Sequence, residues 1–88
     1  MTESLIDRRK RLIYRSCYTG MKETDILLGA FARAHLPTFD VGQLDQYERL
    51  LETNEDPAIY AWAIDRTPVP KEYDNDVMAL LKKFKLDI

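Results

Sequence analysis

One cysteine and one histidine are all that this 88-residue chain holds of the residues that form disulfides or favour transition metals. A single Cys17 excludes an internal disulfide, and a small domain without one fits a reducing compartment. Cys17 and His35 cannot close a tetrahedral zinc site without several carboxylates, so a structural metal is not expected. Glycine is scarce as well. Gly20, Gly29 and Gly42 stand isolated, and no phosphate-cradling loop is legible. No apolar run approaches the roughly 20 residues of a membrane span. The opening segment "MTESLIDRRKRL" lacks a hydrophobic signal core, and its acids argue against a transit peptide. On these grounds the chain reads as bacterial and cytoplasmic, with no insertion into a membrane.

Hydrophobic residues make up 45% of the chain and charged residues 32%, a balance suited to a soluble globular protein. At this length one domain across residues 1–88 is expected. The net charge is only −2, but it is unevenly spread. Residues 1–22 carry six Lys/Arg against two acids, whereas residues 23–81 carry four against twelve. Such polarity can orient a partner. It also arises by chance in small helical proteins.

No segment alternates with period two, and the chain reads as an all-α domain of about five short helices in a compact antiparallel bundle. Ser4 with Asp7 caps the first, whose inward face would carry Leu5, Ile6, Leu12, Ile13 and Cys17. Gly20 ends it, since a helix terminus favours a residue that tolerates left-handed backbone. The second, Lys22–His35, would bury Leu27, Phe31 and Ala34 and stop at Pro37. Asp40 with Gln43 caps a third, buried along Val41, Leu44, Tyr47 and Leu51. Asp56 before Pro57 caps a fourth, with Ile59, Tyr60, Trp62 and Ala63 as its contacts. A fifth runs over residues 71–84 on Tyr73, Val77, Leu80, Leu81 and Phe84, with a frayed tail beyond.

Nothing in the sequence assembles a nucleophile, a base and a group to orient it, so the chain reads as no enzyme. Cys17 is expected to be a small core residue. His35, at a helix end, is expected to stabilise the last carbonyls. The basic run "RRKRLIYR" at residues 8–15 is the one strongly patterned surface. Arg8, Arg11 and Arg15 share a helix face beside Tyr14 and Tyr18. A nucleic-acid surface has this look. Yet the pI is about 5.3 and no DNA-binding module is legible. Arginine with tyrosine equally suits a protein interface, which is the preferred reading. A purely solvated helix face is the plain alternative.

The corner "YRSCYTGMKETD" follows that strip. Glu23 complements the dipole of the second helix, and Gly20 lets another backbone approach closely. At this corner the chain resembles the small succinate dehydrogenase assembly factors, bacterial and mitochondrial, over nearly its whole length. Their hallmark is Arg-Gly-x-x-Glu, and Gly20, Met21, Lys22 and Glu23 match its last four positions. The segments "TDILLGAFA", "YERLLE" and "EDPAIYAWA" are similar in order and spacing, and "PVPKEYDNDVMALLKKF" resembles the closing helix of the mitochondrial branch. Thr19 departs from the pattern by standing in the place of the arginine, and threonine cannot replace a charge-assisted bond. Arg15, one turn earlier, is the candidate substitute.

The resemblance implies a non-enzymatic factor that binds the flavoprotein subunit of succinate dehydrogenase, with the fumarate reductase flavoprotein as a further candidate, and promotes covalent FAD attachment there. The partner carries the flavin; this chain holds no cofactor of its own and no nucleic acid, and is expected to be a monomer when free. The implied contact surface is Gly20 and Glu23, surrounded by Met21, Lys22, Thr19, Tyr18, Arg15 and Asp25. The alternatives are a generic helical protein-binding regulator, antitoxin-like, acting through the same corner, and a nucleic-acid binder using the run Arg8–Arg15.

Overall fold

Local capping sets where the helices begin. In the computed structural model, which describes residues 3–53 and 56–86 (the side chains at 56, 85 and 86 excepted), the Ser4 hydroxyl accepts from Asp7 N–H at 3.1 Å and opens α1, Leu5–Cys17. Helix α2 is Lys22–His35, followed by a 3₁₀ turn, Leu36–Thr38, that carries Pro37. Helix α3, Val41–Leu51, opens with a reciprocal capping box: Gln43 N–H donates to Asp40 at 2.8 Å, and Asp40 N–H donates to Gln43 Oε1 at 3.0 Å. Helices α4, Asp56–Ala63, and α5, Asp76–Leu86, complete the fold. The described residues form an all-α domain with no strand.

The core gathers round α2, which packs against α1, α4 and α5, while α3 packs against α1 and α5. Phe31 sits at the centre. Its ring lies 5.8 Å from Tyr47, 6.1 Å from Phe39 and 5.7 Å from Phe84, so one residue joins α2 to α3 and α5. Leu28, Leu36, Leu44, Ile59 and Leu81 are wholly buried around it. Each contributes about 1.5–3 kcal/mol by leaving water. The chain's radius of gyration is 12.1 Å. A compact domain of this length should reach about 12 Å.

Contacts along α1 fix the relative directions. Cys17 lies against Gly29 in the middle of α2, while Arg9 donates to Phe39 O at 2.7 Å beyond α2's end, so α1 and α2 are antiparallel. Arg8 meets Asp45 and Arg15 meets Leu51, so α3 runs parallel to α1. Ser16 and Tyr47, both buried, tie these two helices by a hydroxyl–hydroxyl bond of 2.5 Å.

Several expected inward residues face out. Leu5 and Ile6 are exposed because the first turn of α1 projects past the core, which α1 enters through Leu12 and Ser16. Val41 is exposed at the mouth of α3, and Ala34 points to solvent while Leu28 and Ala32 fill the seam. The fifth helix is shorter at its start than expected. Lys71–Tyr73 form a 3₁₀ turn that stacks Tyr73 on Trp62 at 5.5 Å, and Asn75 then caps α5 by accepting from Met78 N–H at 3.1 Å. Helix α5 continues through Leu86, past the expected fraying point at Phe84. The capping role expected of the Asp56 side chain lies outside the described residues.

Candidate functional site

Helix α1 closes earlier than expected. Tyr18, not Gly20, is its cap, donating its N–H to Arg15 O at 3.3 Å. Gly20 comes two residues later at φ +102°, a left-handed backbone that swings the chain into α2. No heavy atom lies within 4 Å of the place a Cβ would occupy there, so the strain of any substitution is in the backbone and the space beside Gly20 is open.

Asp25 holds this corner from inside. Its carboxylate accepts from the Thr19 hydroxyl at 2.5 Å and from Thr19 N–H at 2.6 Å, bridging the corner to the first turn of α2. The Thr19 hydroxyl, then Thr19 N–H and Gly20 N–H, keep the Asp25 carboxyl below its usual range. Thr19 Oγ1 also accepts from Met21 N–H at 3.4 Å. Residue 19, where the resemblance expects arginine, therefore turns inward and serves the corner itself.

The outer side of the corner is unfilled. Glu23 and Lys22 are exposed, and Glu23 has no hydrogen bond or ion pair among the described residues. Met21 is half-buried, and Tyr18 is 66% exposed. One turn beyond Glu23 stands Ile26, 62% exposed, an apolar side chain that sequence reasoning passed over. Its signal was present: Ile26 falls out of phase with the buried Leu27, Leu28 and Phe31. The structure thus brings together Tyr18, Thr19, Gly20, Met21, Lys22, Glu23 and Asp25. Arg15 it turns away, donating to Leu51 O at 3.3 Å.

The basic strip proves to be half of an internal clamp. Arg8 meets Asp45 at 2.6 Å and Glu48 at 2.9 Å; Arg11 meets Glu3 and Glu48, each at 2.9 Å. Glu48 answers both arginines through separate carboxylate oxygens. With Arg8 and Arg11 committed to acids, the strip is no free phosphate-binding surface, and the nucleic-acid alternative loses its footing. Exposed beside Lys10 and Arg11 is an aromatic pair, Tyr14 and Tyr18, ring centroids 4.7 Å apart.

Cys17 takes another place than expected, while His35 stands in the last turn of α2 as expected. Cys17 is half-buried, with Arg33 donating to its sulfur at 3.3 Å, in the α1–α2 seam rather than the core. The His35 ring packs among Phe31, Phe39 and Phe84 at 4.8, 6.2 and 5.8 Å. The described residues hold no cluster of three or more His, Cys, Asp or Glu placed to bind a metal, and no helix long and apolar enough to cross a membrane.

In comparison with known proteins, a family match covers most of the chain. The family described as "Flavinator of succinate dehydrogenase" matches residues 10–85. The mitochondrial succinate dehydrogenase assembly factor 2-A of Drosophila yakuba is 48% identical over 82 residues, which is 92% of this chain and 51% of that protein. The mitochondrial succinate dehydrogenase assembly factor 2 of Danio rerio is 47% identical over 83 residues, 93% of this chain and 52% of that protein. The chain spans about half the length of the curated relatives it matches. These relatives are mitochondrial proteins of animals, which overturns the expectation of a bacterial cytoplasmic setting. By the extent of the family match and by these identities, the chain belongs to the succinate dehydrogenase flavinator family.

Proposed function

We propose that this chain is a non-catalytic assembly factor that binds the flavoprotein subunit of succinate dehydrogenase and promotes the covalent attachment of FAD to that subunit. The observation that carries the proposal is the corner at Gly20: a glycine at φ +102° with open space beside it, next to a carboxylate, Glu23, that nothing among the described residues engages. A backbone of the partner can approach at Gly20, and a partner cation or N–H group can meet Glu23. The family's description, a flavinator of succinate dehydrogenase, supports this choice of partner. The flavin would supply a ring methyl and a histidine of the partner the nitrogen that bonds to its carbon. The methyl C–H and the histidine N–H would each give up a proton and the flavin ring would take up the two electrons as reduced flavin, so the reacting groups stay in the partner. The contribution of this chain is orientation: it favours the arrangement of the flavoprotein in which histidine and flavin are positioned to react.

The corner suits that task because its inner half is fixed before binding. Thr19 and Asp25 hold the backbone, and little ordering entropy remains to oppose association. The test is co-expression with the flavoprotein subunit of the same organism, followed by in-gel flavin fluorescence of the denatured subunit. Fluorescence that depends on this chain and falls with Glu23→Ala is the expected result. Equal fluorescence with and without the chain would refute the proposal. The same assay with the fumarate reductase flavoprotein reads the breadth of the partner set. A generic regulator acting through the same corner would bind other proteins and leave flavin attachment unchanged.

A further inference from the structure

Between α1 and the C-terminal end of α3 lies a groove of about 590 Å³. Its floor is Leu12 and Leu51, both buried. One wall is the tyrosine pair, Tyr14 on α1 at 70% exposure and Tyr18 at that helix's C-terminal cap at 66%. Two neighbouring aromatic rings standing in water carry no packing load inside the molecule. They offer flat faces to something else.

The charges around this groove differ in availability. Arg11 is bonded to Glu3 and Glu48, and Glu48 is bonded in turn to Arg8 and Arg11. Arg15 donates to Leu51 O at the base. Glu52 is different. It lines the groove, is exposed, and its carboxylate makes no hydrogen bond or ion pair among the described residues. It also caps the C-terminus of α3, where the helix dipole adds negative character. Ring faces and a free carboxylate together attract a cation. A planar one fits best, because it can lie on a tyrosine ring while its edge N–H groups reach an acid. An anionic ligand would meet Glu52 with the neighbouring arginines already engaged.

We propose that this groove receives an arginine side chain of the partner flavoprotein, its guanidinium stacked on the Tyr14–Tyr18 ledge and its N–H edge directed to Glu52. The identity of the partner rests on the assembly-factor reading; the preference for arginine rests on the groove alone. Tyr18 is both a wall of the groove and the cap that leads to Gly20, so corner and groove form one continuous surface. A partner seated at the corner can reach the groove without rearranging this chain.

Two measurements test it. In the first, the ¹⁵N-labelled chain is titrated with N-acetyl-arginine amide, and in parallel with the lysine and leucine amides. Saturable shifts at Tyr14, Tyr18 and Glu52 with the arginine probe, at dissociation constants on the order of 1–10 mM, are expected. They should be weaker with lysine, absent with leucine, and lost in Glu52→Gln, an exposed substitution that leaves the fold intact. In the second, binding of the isolated flavoprotein subunit should weaken about tenfold in Glu52→Gln and in Tyr14→Leu, with Glu52→Asp recovering most of the loss. No saturable arginine response, or an equal response to leucine amide, would overturn the proposal. So would unchanged flavoprotein binding in Glu52→Gln. Should the subunit fail to bind the wild-type chain while the arginine response at the groove persists, the assembly-factor reading falls and the groove keeps its ligand chemistry.

Discussion

The bond between Ser16 and Tyr47 gives an asymmetric pair of mutational costs. Ser16 Oγ donates to Leu12 O at 2.7 Å, the carbonyl one turn back in α1. A hydroxyl has one hydrogen, so the 2.5 Å contact with Tyr47 has the phenol as donor and Ser16 Oγ as acceptor. Burial pushes the Tyr47 phenol well above its ordinary range, against the opposing pull of Ser16, so it stays protonated and remains a donor. Tyr47→Phe removes the donor and leaves the Ser16–Leu12 bond in place; the expected loss is about 1 kcal/mol. Ser16→Ala strands a buried phenol donor with no partner, and its expected loss is about 2–3 kcal/mol. In the double variant no donor is stranded, so its cost should fall near that of Tyr47→Phe and well below the sum. Urea unfolding followed by circular dichroism reads all three, and each kcal/mol should also lower Tm by roughly 4–8 °C. Equal single costs, or simple additivity, would refute the assignment of the donor.

Three other perturbations follow from the same contacts. Gly20→Ala meets no neighbour, so its cost is the left-handed backbone alone, about 1–2 kcal/mol in denaturant unfolding, and flavoprotein binding should weaken further by obstruction at the corner. At Gly29 an added Cβ would stand 3.1 Å from Cys17 Sγ, so Gly29→Ala should be near neutral in the wild-type chain. With Cys17→Ala in place the obstruction is gone, and Gly29→Ala should then stabilise by up to about 1 kcal/mol. The Asp25 carboxyl is lowered in the folded chain, chiefly by the Thr19 hydroxyl. Its contribution is therefore present above the unfolded carboxylate value and lost as pH falls through the lower folded one. The stability difference between wild type and Asp25→Ala should be constant near neutrality and shrink only below about pH 4, as read by urea unfolding across the acid range.

Features set by neighbours in sequence were legible before the structure. Ser4, the Asp40–Gln43 box and the stop at Pro37 follow from local backbone chemistry, and Gly20 beside Glu23 is likewise local. Features set by distant helices were not. Periodicity places Leu5 and Ile6 on the face of Leu12 but cannot tell where the facing helices begin, and these two residues lie beyond them. Tyr73 keeps helical phase with Val77 yet belongs to a 3₁₀ turn, because stacking on Trp62 holds it there and Asn75 supplies a new cap. The basic strip is the largest such case. Its neutralising acids, Asp45 and Glu48, lie 37 and 40 residues along the chain from Arg8. Nothing local to residues 8–15 announces them.

That neutralisation changes which residues can speak to a partner. A charge already bonded inside the molecule must break that bond to make another, which cancels much of the gain. By this criterion Arg8, Arg11, Asp25, Asp45 and Glu48 are framework. Among the described residues, Glu23, Glu52, the faces of Tyr14 and Tyr18 and the exposed Lys10 and Lys22 are groups still able to gain from contact, and Ile26 adds an apolar neighbour to Glu23. Residue 19 belongs on the framework side as well, since its N–H and hydroxyl both go to Asp25. A partner recognising this chain therefore meets carboxylates and aromatic rings where the sequence, read as a list of charges, shows a basic strip. On the proposed function, the flavoprotein surface that meets Glu23 and Glu52 should be basic, and association should weaken as salt screens these two carboxylates.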